Sequence, residues 1–121
     1  MNETQKVRTF SDLEFNAHAH VDNGVQAKLD LGNGFEISVV SMKDNEPSFG
    51  GLYGNASKGT YEVAVFHDGN MTPLSVYDDV IGWQDEVAIT RLMKEVHQNG
   101  VAWLKLLQEV RDEHRKEMEL N

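Results

Sequence analysis

Three runs of turn-forming residues, Asp22-Asn23-Gly24, Gly32-Asn33-Gly34 and His67-Asp68-Gly69-Asn70, separate stretches in which apolar and polar side chains alternate. Period-two alternation belongs to a half-buried strand, and Asn, Asp and Gly tolerate the positive φ that a tight hairpin needs. Before the first turn Leu13, Phe15, Ala17, Ala19 and Val21 alternate with Glu14, Asn16, His18 and His20. After it Val25, Ala27, Leu29 and Leu31 alternate with Gln26, Lys28 and Asp30, and beyond the second turn Phe35, Ile37 and Val39 alternate with Glu36 and Ser38 up to about Met42. Tyr61, Val63 and Val65 against Glu62 and Ala64 predict a fourth strand, and a short fifth falls near 72–76, where Pro73 confines it to a sheet edge. Residues 43–59, with Pro47 and Gly50, Gly51, Gly54 and Gly59, read as a long connection and the place where a functional loop is expected.

A sheet with one apolar face needs something to bury it, and the rest of the chain has the period of a helix. Ile89, Leu92, Met93 and Val96 recur at i, i+3, i+4 and i+7, with Asp85 and Glu86 at the end where the helix dipole favours negative charge. Asn99 and Gly100 form a stop signal, and Trp103, Leu106, Leu107 and Val110 begin a second helical stripe. The expectation is an α+β fold in a single domain over 1–121. Its antiparallel β-meander of about five strands (1–77) is covered on one face by a helix, and an additional C-terminal helix completes the helical part (78–121). Phe15, Leu29, Ile37, Val63 and Val65 are expected to form the core against Ile89, Leu92, Met93 and Val96.

Charge and composition remove several function classes. The 121 residues carry a formal net charge of -9 and no cysteine, which excludes disulfides and thiolate zinc sites. No basic cluster exceeds Arg115 and Lys116, so direct binding to a phosphate backbone is not expected. No apolar run reaches the length of a membrane span and the first residues lack the apolar stretch of a signal peptide, which predicts a cytoplasmic protein with no membrane partner.

Candidates for chemistry are few, and each has a plain structural explanation. His18 and His20 stand two apart on a strand, with Glu14 and Asp22 on the same face, a spacing that could ligate a metal but is ordinary for a solvent face. Asp78, Asp79, Asp85 and Glu86 could act as paired carboxylates, yet helix-start electrostatics and turn chemistry account for all four. No phosphate-binding glycine pattern and no activated nucleophile is present. The chain therefore reads as a protein that is not an enzyme and has no cofactor or metal, with a metal-dependent hydrolase centred on His18 and His20 as a rival.

The second helical stripe exceeds what one sheet face requires, and Val101, Trp103, Leu104, Leu107 and Val110 are the candidate interface. An antiparallel pairing of this helix in a homodimer is the simplest closed arrangement, and Trp103 folding back onto the sheet of its own chain is the competing one.

Several short segments resemble a family of small uncharacterised proteins of tailed bacteriophages: 34–40 (GFEISVV), 48–51 (SFGG), 59–65 (GTYEVAV), and Thr72 and Pro73 followed by 78–82 (DDVIG). The order of these segments matches over about 25–96. The chain departs from the family in an insertion, LYGNAS at 52–57, and in the helix of 101–121. The resemblance implies a phage accessory protein in the cytoplasm of a host bacterium, and it brings no activity or site residue. The function expected is a non-enzymatic interaction module that binds a host or phage protein. The alternative is an acidic mimic of nucleic acid that inhibits a DNA-binding or defence protein.

Overall fold

The computed structural model describes residues 7–44, 52–75 and 78–119. Among these, six strands form one sheet: β1 (Asn16–Ala17), β2 (Gly24–Gly32), β3 (Phe35–Met42), β4 (Tyr61–His67), β5 (Asn70–Met71) and β6 (Val80–Gln84). Every pairing between them is antiparallel, in the order β1-β2-β3-β4-β5, with β6 also on β4. The turns follow from their residues. Asn33 and Gly34 take φ of 54° and 84°, and Asp68 and Gly69 take 51° and 86°, the two successive positive values of a type I′ hairpin.

Register sets the apolar face. Leu29, Ile37 and Val65 stand opposite one another across β2, β3 and β4, and Ala27, Val39 and Val63 form the next row. The first strand is shorter than its alternation predicts. Only Asn16 and Ala17 pair with β2, Leu13 is buried and Phe15 half-buried, whereas Ala17 and Ala19 are exposed. Alanine methyl groups at a sheet edge gain too little from burial to hold the ladder, and His18–Val21 turn back toward Gly24 instead, with Gly24 N–H donating to Val21 at 3.0 Å.

The last lane of the sheet also departs from the expected one. β5 ends at Met71, the Thr72 N–H donates to Val65 at 2.8 Å, and the chain then leaves the edge of β4 to return at Val80, opposite Ala64. Pro73 has no N–H to continue the ladder, so the edge is abandoned there. The segment 80–84, assigned above to the helical part, is a strand: Val80 and Ile81 are β-branched and resume the pairing. β5 and β6 lie end to end along one edge of β4, which is why an expectation of about five strands meets six.

One helical element, α1 (Glu86–Glu119), spans both expected helices and is broken by a kink at Asn99. Asp85 caps it, accepting the Ala88 N–H on Oδ1 at 2.8 Å. The expected stop survives as a single non-helical residue, Asn99 (φ −131°, ψ 21°), after which the helix resumes. An Asn and a Gly inside a helix cost about 1–2 kcal/mol together. Beyond the break, Trp103 packs edge-on to Phe35 with ring centroids 6.4 Å apart, and its partial burial there offsets part of that cost. The local stop signal therefore acts as a kink at Asn99, and packing holds the stretch beyond it close to the stretch before it.

Ile89, Met93 and Val96 share one buried cluster with Ala27, Leu31, Phe35, Ile37, Val39, Tyr61, Val63 and Val65. Of the expected core, Phe15, Leu29 and Leu92 are half-buried at its rim. Phe10, Phe15 and Tyr61 form an aromatic trio with centroids 5.0–5.8 Å apart, and the Phe10 N–H donates to Thr90 Oγ1 at 3.0 Å, which ties the N-terminal segment to α1.

A Cβ on Gly100 would lie 2.6 Å from Cε2 of Phe35, itself 1% exposed and unable to yield. Gly100→Ala should therefore destabilise by about 1–3 kcal/mol through overpacking, although a helical Gly→Ala exchange ordinarily stabilises. Urea denaturation gives the sign, and a gain in stability would contradict this packing. Burial raises the Tyr61 hydroxyl above its ordinary 10.0, and the Glu86 charge adds to the effect. Well below 10.0 the phenol is neutral in folded and unfolded chains alike. As pH rises past that value the unfolded chain ionises first, so stability is lost through the folded value. Tyr61→Phe should remove that part of the alkaline loss, read by comparing urea midpoints at about pH 9 and about pH 11.

Candidate functional site

Where β4 meets β6 the register slips: Tyr61 pairs with Gln84 and Val63 with Ile81, so Glu62 alone stands opposite both Gly82 and Trp83. This is a β-bulge, a device that re-aims a side chain out of the regular alternation. Trp83 occupies it at φ 58°, in the left-handed region that bulky residues avoid, and its side chain is 61% exposed. Its N–H donates to the carbonyl of Tyr53 at 2.8 Å. Tyr53, 62% exposed, donates its own N–H to Oε1 of Glu62 at 2.9 Å. Gly82 permits this approach, because a Cβ there would lie 2.5 Å from Cβ of Tyr53.

The two exposed rings are held through their backbones. The segment carrying Tyr53 is anchored on its far side by the Met42 N–H, which donates to the Gly54 carbonyl at 3.3 Å, and by a bridge between Met42 and Asn55. Gly54 is needed there, since a Cβ would meet Ser41, Thr60 and Tyr61 atoms at 2.8 Å. Glu62 is paired across β3 with Val40, which is buried, and no ion pair among the described residues involves its carboxylate. The result is two exposed rings and one carboxylate on an edge anchored by main-chain bonds, an arrangement that can bury aromatic area against a partner and accept its donors.

A second cluster ties the far half of α1 to the excursion between β5 and β6. Arg111 Nη1 bonds Oδ1 of Asp79 at 2.6 Å, and Nη2 donates to the carbonyls of Ser75 and Asp78 at 2.7 and 3.1 Å. Asp78 in turn accepts the Leu74 and Ser75 N–H groups at 2.9 and 3.1 Å. Asp79 therefore serves this clamp and not the helix start, which corrects one of the four acids; Asp85 is the cap. Between excursion, sheet and helix lies a pocket of about 140 Å³ lined by Val63, Leu74, Ile81, Leu92 and Trp103, with Gln84 as its polar group.

The five expected interface residues do not share one surface. Trp103 and Leu104 pack against the core cluster, Leu107 is half-buried, and Val101 and Val110 are 66% and 43% exposed. At 100° per residue Val101 and Val110 project from opposite sides of the helix. His18 is half-buried and His20 exposed, and the His20 N–H donates to His18 Nδ1 at 3.0 Å. Among the described residues no group of three His, Cys, Asp or Glu could hold a metal ion. Of the segments carrying the phage resemblance, 34–40 opens at the second hairpin turn and runs into β3, while 78–82 leads into β6; 48–51 lies outside the described residues.

Sequence patterns point to neither Tyr53 nor Trp83. Tyr53 sits in an irregular connection, and Trp83 follows a β-branched pair and a glycine, the one local sign of a strand with a bulge. No family model, curated protein or solved structure matches the chain. Among the described residues no helix is long and apolar enough to cross a membrane.

Arg111→Met should destabilise by about 1–3 kcal/mol, because the Ser75 and Asp78 carbonyls and the Asp79 carboxylate lose their shared donor. Arg111→Lys should recover less than half of that, since an ammonium cannot fork to three acceptors. Thermal melts of both variants test the clamp, and a wild-type melting temperature in Arg111→Met contradicts it.

Proposed function

We propose that the protein is a non-enzymatic interaction module that engages a host or phage protein through the edge carrying Tyr53 and Trp83. The observation that carries this reading is Trp83 itself, 61% exposed at φ 58° on a bulge. A left-handed conformation costs about 1–2 kcal/mol at a residue with a Cβ, and here no burial offsets it. Exposed Trp and Tyr on a rigid frame are the residue types that dominate binding energy in protein interfaces, because they bring large area with little rotamer entropy to lose. The resemblance to small phage proteins supports a partner met inside an infected bacterium.

The mimic of nucleic acid is less well supported. A mimic needs acids of one sign along a continuous surface, whereas on α1 they alternate with Arg91, Lys94, Lys105, Arg115 and Lys116. A homodimer through the helix would have to use Val101 and Val110 without Trp103 and Leu104, which serve the core.

A photo-crosslinking aromatic residue placed at Tyr53 is expected to give a discrete protein adduct in extract of the producing cell. The adduct should disappear on Trp83→Ala, and the same probe at Asn70, at the other end of that sheet edge, should give none. An adduct indifferent to Trp83, or no adduct at all, overturns the reading.

A further inference from the structure

Any partner that covers Trp83 and Tyr53 also covers Glu62, because Glu62 stands opposite the Gly82 and Trp83 bulge and its Oε1 holds the Tyr53 N–H at 2.9 Å. The carboxylate has no ion pair among the described residues. An apolar partner surface would strip its water and leave the charge uncompensated, which opposes binding. A cation would satisfy it. The same cation would also meet two aromatic faces, and ring faces attract ammonium and guanidinium groups electrostatically. Neither ring contacts another aromatic ring among the described residues, and Tyr53 and Trp83 are 62% and 61% exposed.

The surrounding charge acts in the same direction. Asp85 and Glu86 follow Gln84 directly, and from 44 to 90 the chain carries a single lysine, Lys58, and no arginine. A negative field around the rings raises the local concentration of basic segments and speeds their encounter. We infer that Tyr53, Glu62 and Trp83 form a recognition site for the cationic side chain, arginine or lysine, of a basic segment in the partner protein. This rests on the reading of the edge as a protein-binding surface and adds the chemistry of what binds there. The bulge aims the Trp83 ring, Gly82 lets Tyr53 approach, and the Tyr53 N–H holds the carboxylate beside the bulge.

The full chain, labelled with 15N, can be titrated with three blocked hexapeptides: alternating Gly and Arg, Gly and Lys, and Gly and Glu. The indole N–H resonance of Trp83 should shift in a saturable, salt-sensitive way with the Arg or the Lys peptide, while that of Trp103 stays in place. Glu62→Gln keeps an amide oxygen for the Tyr53 N–H but removes the charge, and should weaken peptide binding by about fivefold or more. Trp83→Ala should abolish it. Equal binding of the Glu peptide, no binding of either basic peptide, or a Glu62→Gln affinity within about twofold of wild type overturns the cation site. If the Tyr53 crosslinked adduct persists in that case, the interaction module stands and only its cation chemistry falls. Loss of the adduct with peptide binding intact removes the protein-binding reading instead.

Discussion

Phe35 is the point at which sheet and helix depend on each other. It opens β3 directly after the second hairpin turn, is 1% exposed, and stacks on His67 with centroids 4.2 Å apart. Its ring also fills the space beside Gly100 and meets the edge of Trp103. One aromatic side chain thus touches β4 and the helix on the far side of its break. The helix passes Asn99 because its continuation is bound at Trp103, and Arg111 holds it again further on. Phe35, with the Arg111 clamp, keeps residues 101–119 aligned with residues 86–98 across the kink.

The second dependency runs along the free edge of β4. Its C-terminal end pairs with β5 and its N-terminal end with β6, so one edge is used twice by a chain that leaves and returns. The departure is stabilised by hydrogen bonds to the Asp78 carbonyl and by the Arg111 guanidinium. The return brings the bulge at Gly82 and Trp83, and against it rests the backbone of Tyr53 from a connection that is distant in sequence. The aromatic edge is therefore a product of three segments, each fixed by main-chain bonds. A frame held in this way has little conformational entropy left to lose, which suits presentation of rings over enclosure of a ligand.

The exposed edge and the core use aromatic residues in opposite ways. Phe10, Phe15, Tyr61, Phe35 and Trp103 satisfy one another and tie elements together. Among the described residues Tyr53 and Trp83 stack on no other aromatic ring, and the Glu62 carboxylate beside them has no ion pair. A protein that spends its tryptophans in these two ways has a division of labour that composition could not reveal, since both residues count alike.

Hairpin turns, strand phase and the inward face of the first half of α1 were legible in the sequence. Asn33-Gly34 and Asp68-Gly69 dictate φ locally, and the buried Ile37, Val63, Val65, Ile89, Met93 and Val96 follow from periods of two and of 3.6. These are short-range rules, and the residues that obey them need no knowledge of distant partners. Everything decided by a distant partner was not legible. The break at Asn99 was legible, but how closely the two stretches align across it depended on Phe35, the identity of 80–84 as strand depended on the vacant edge of β4, and the role of Asp79 depended on Arg111. The aromatic edge belongs to that second group: its residues lie in an irregular connection and on a bulge, where no periodicity operates. Only the pairing of β6 with β4 brings Trp83, Glu62 and Tyr53 together, because a register slip of one residue is a property of two strands and not of either one alone.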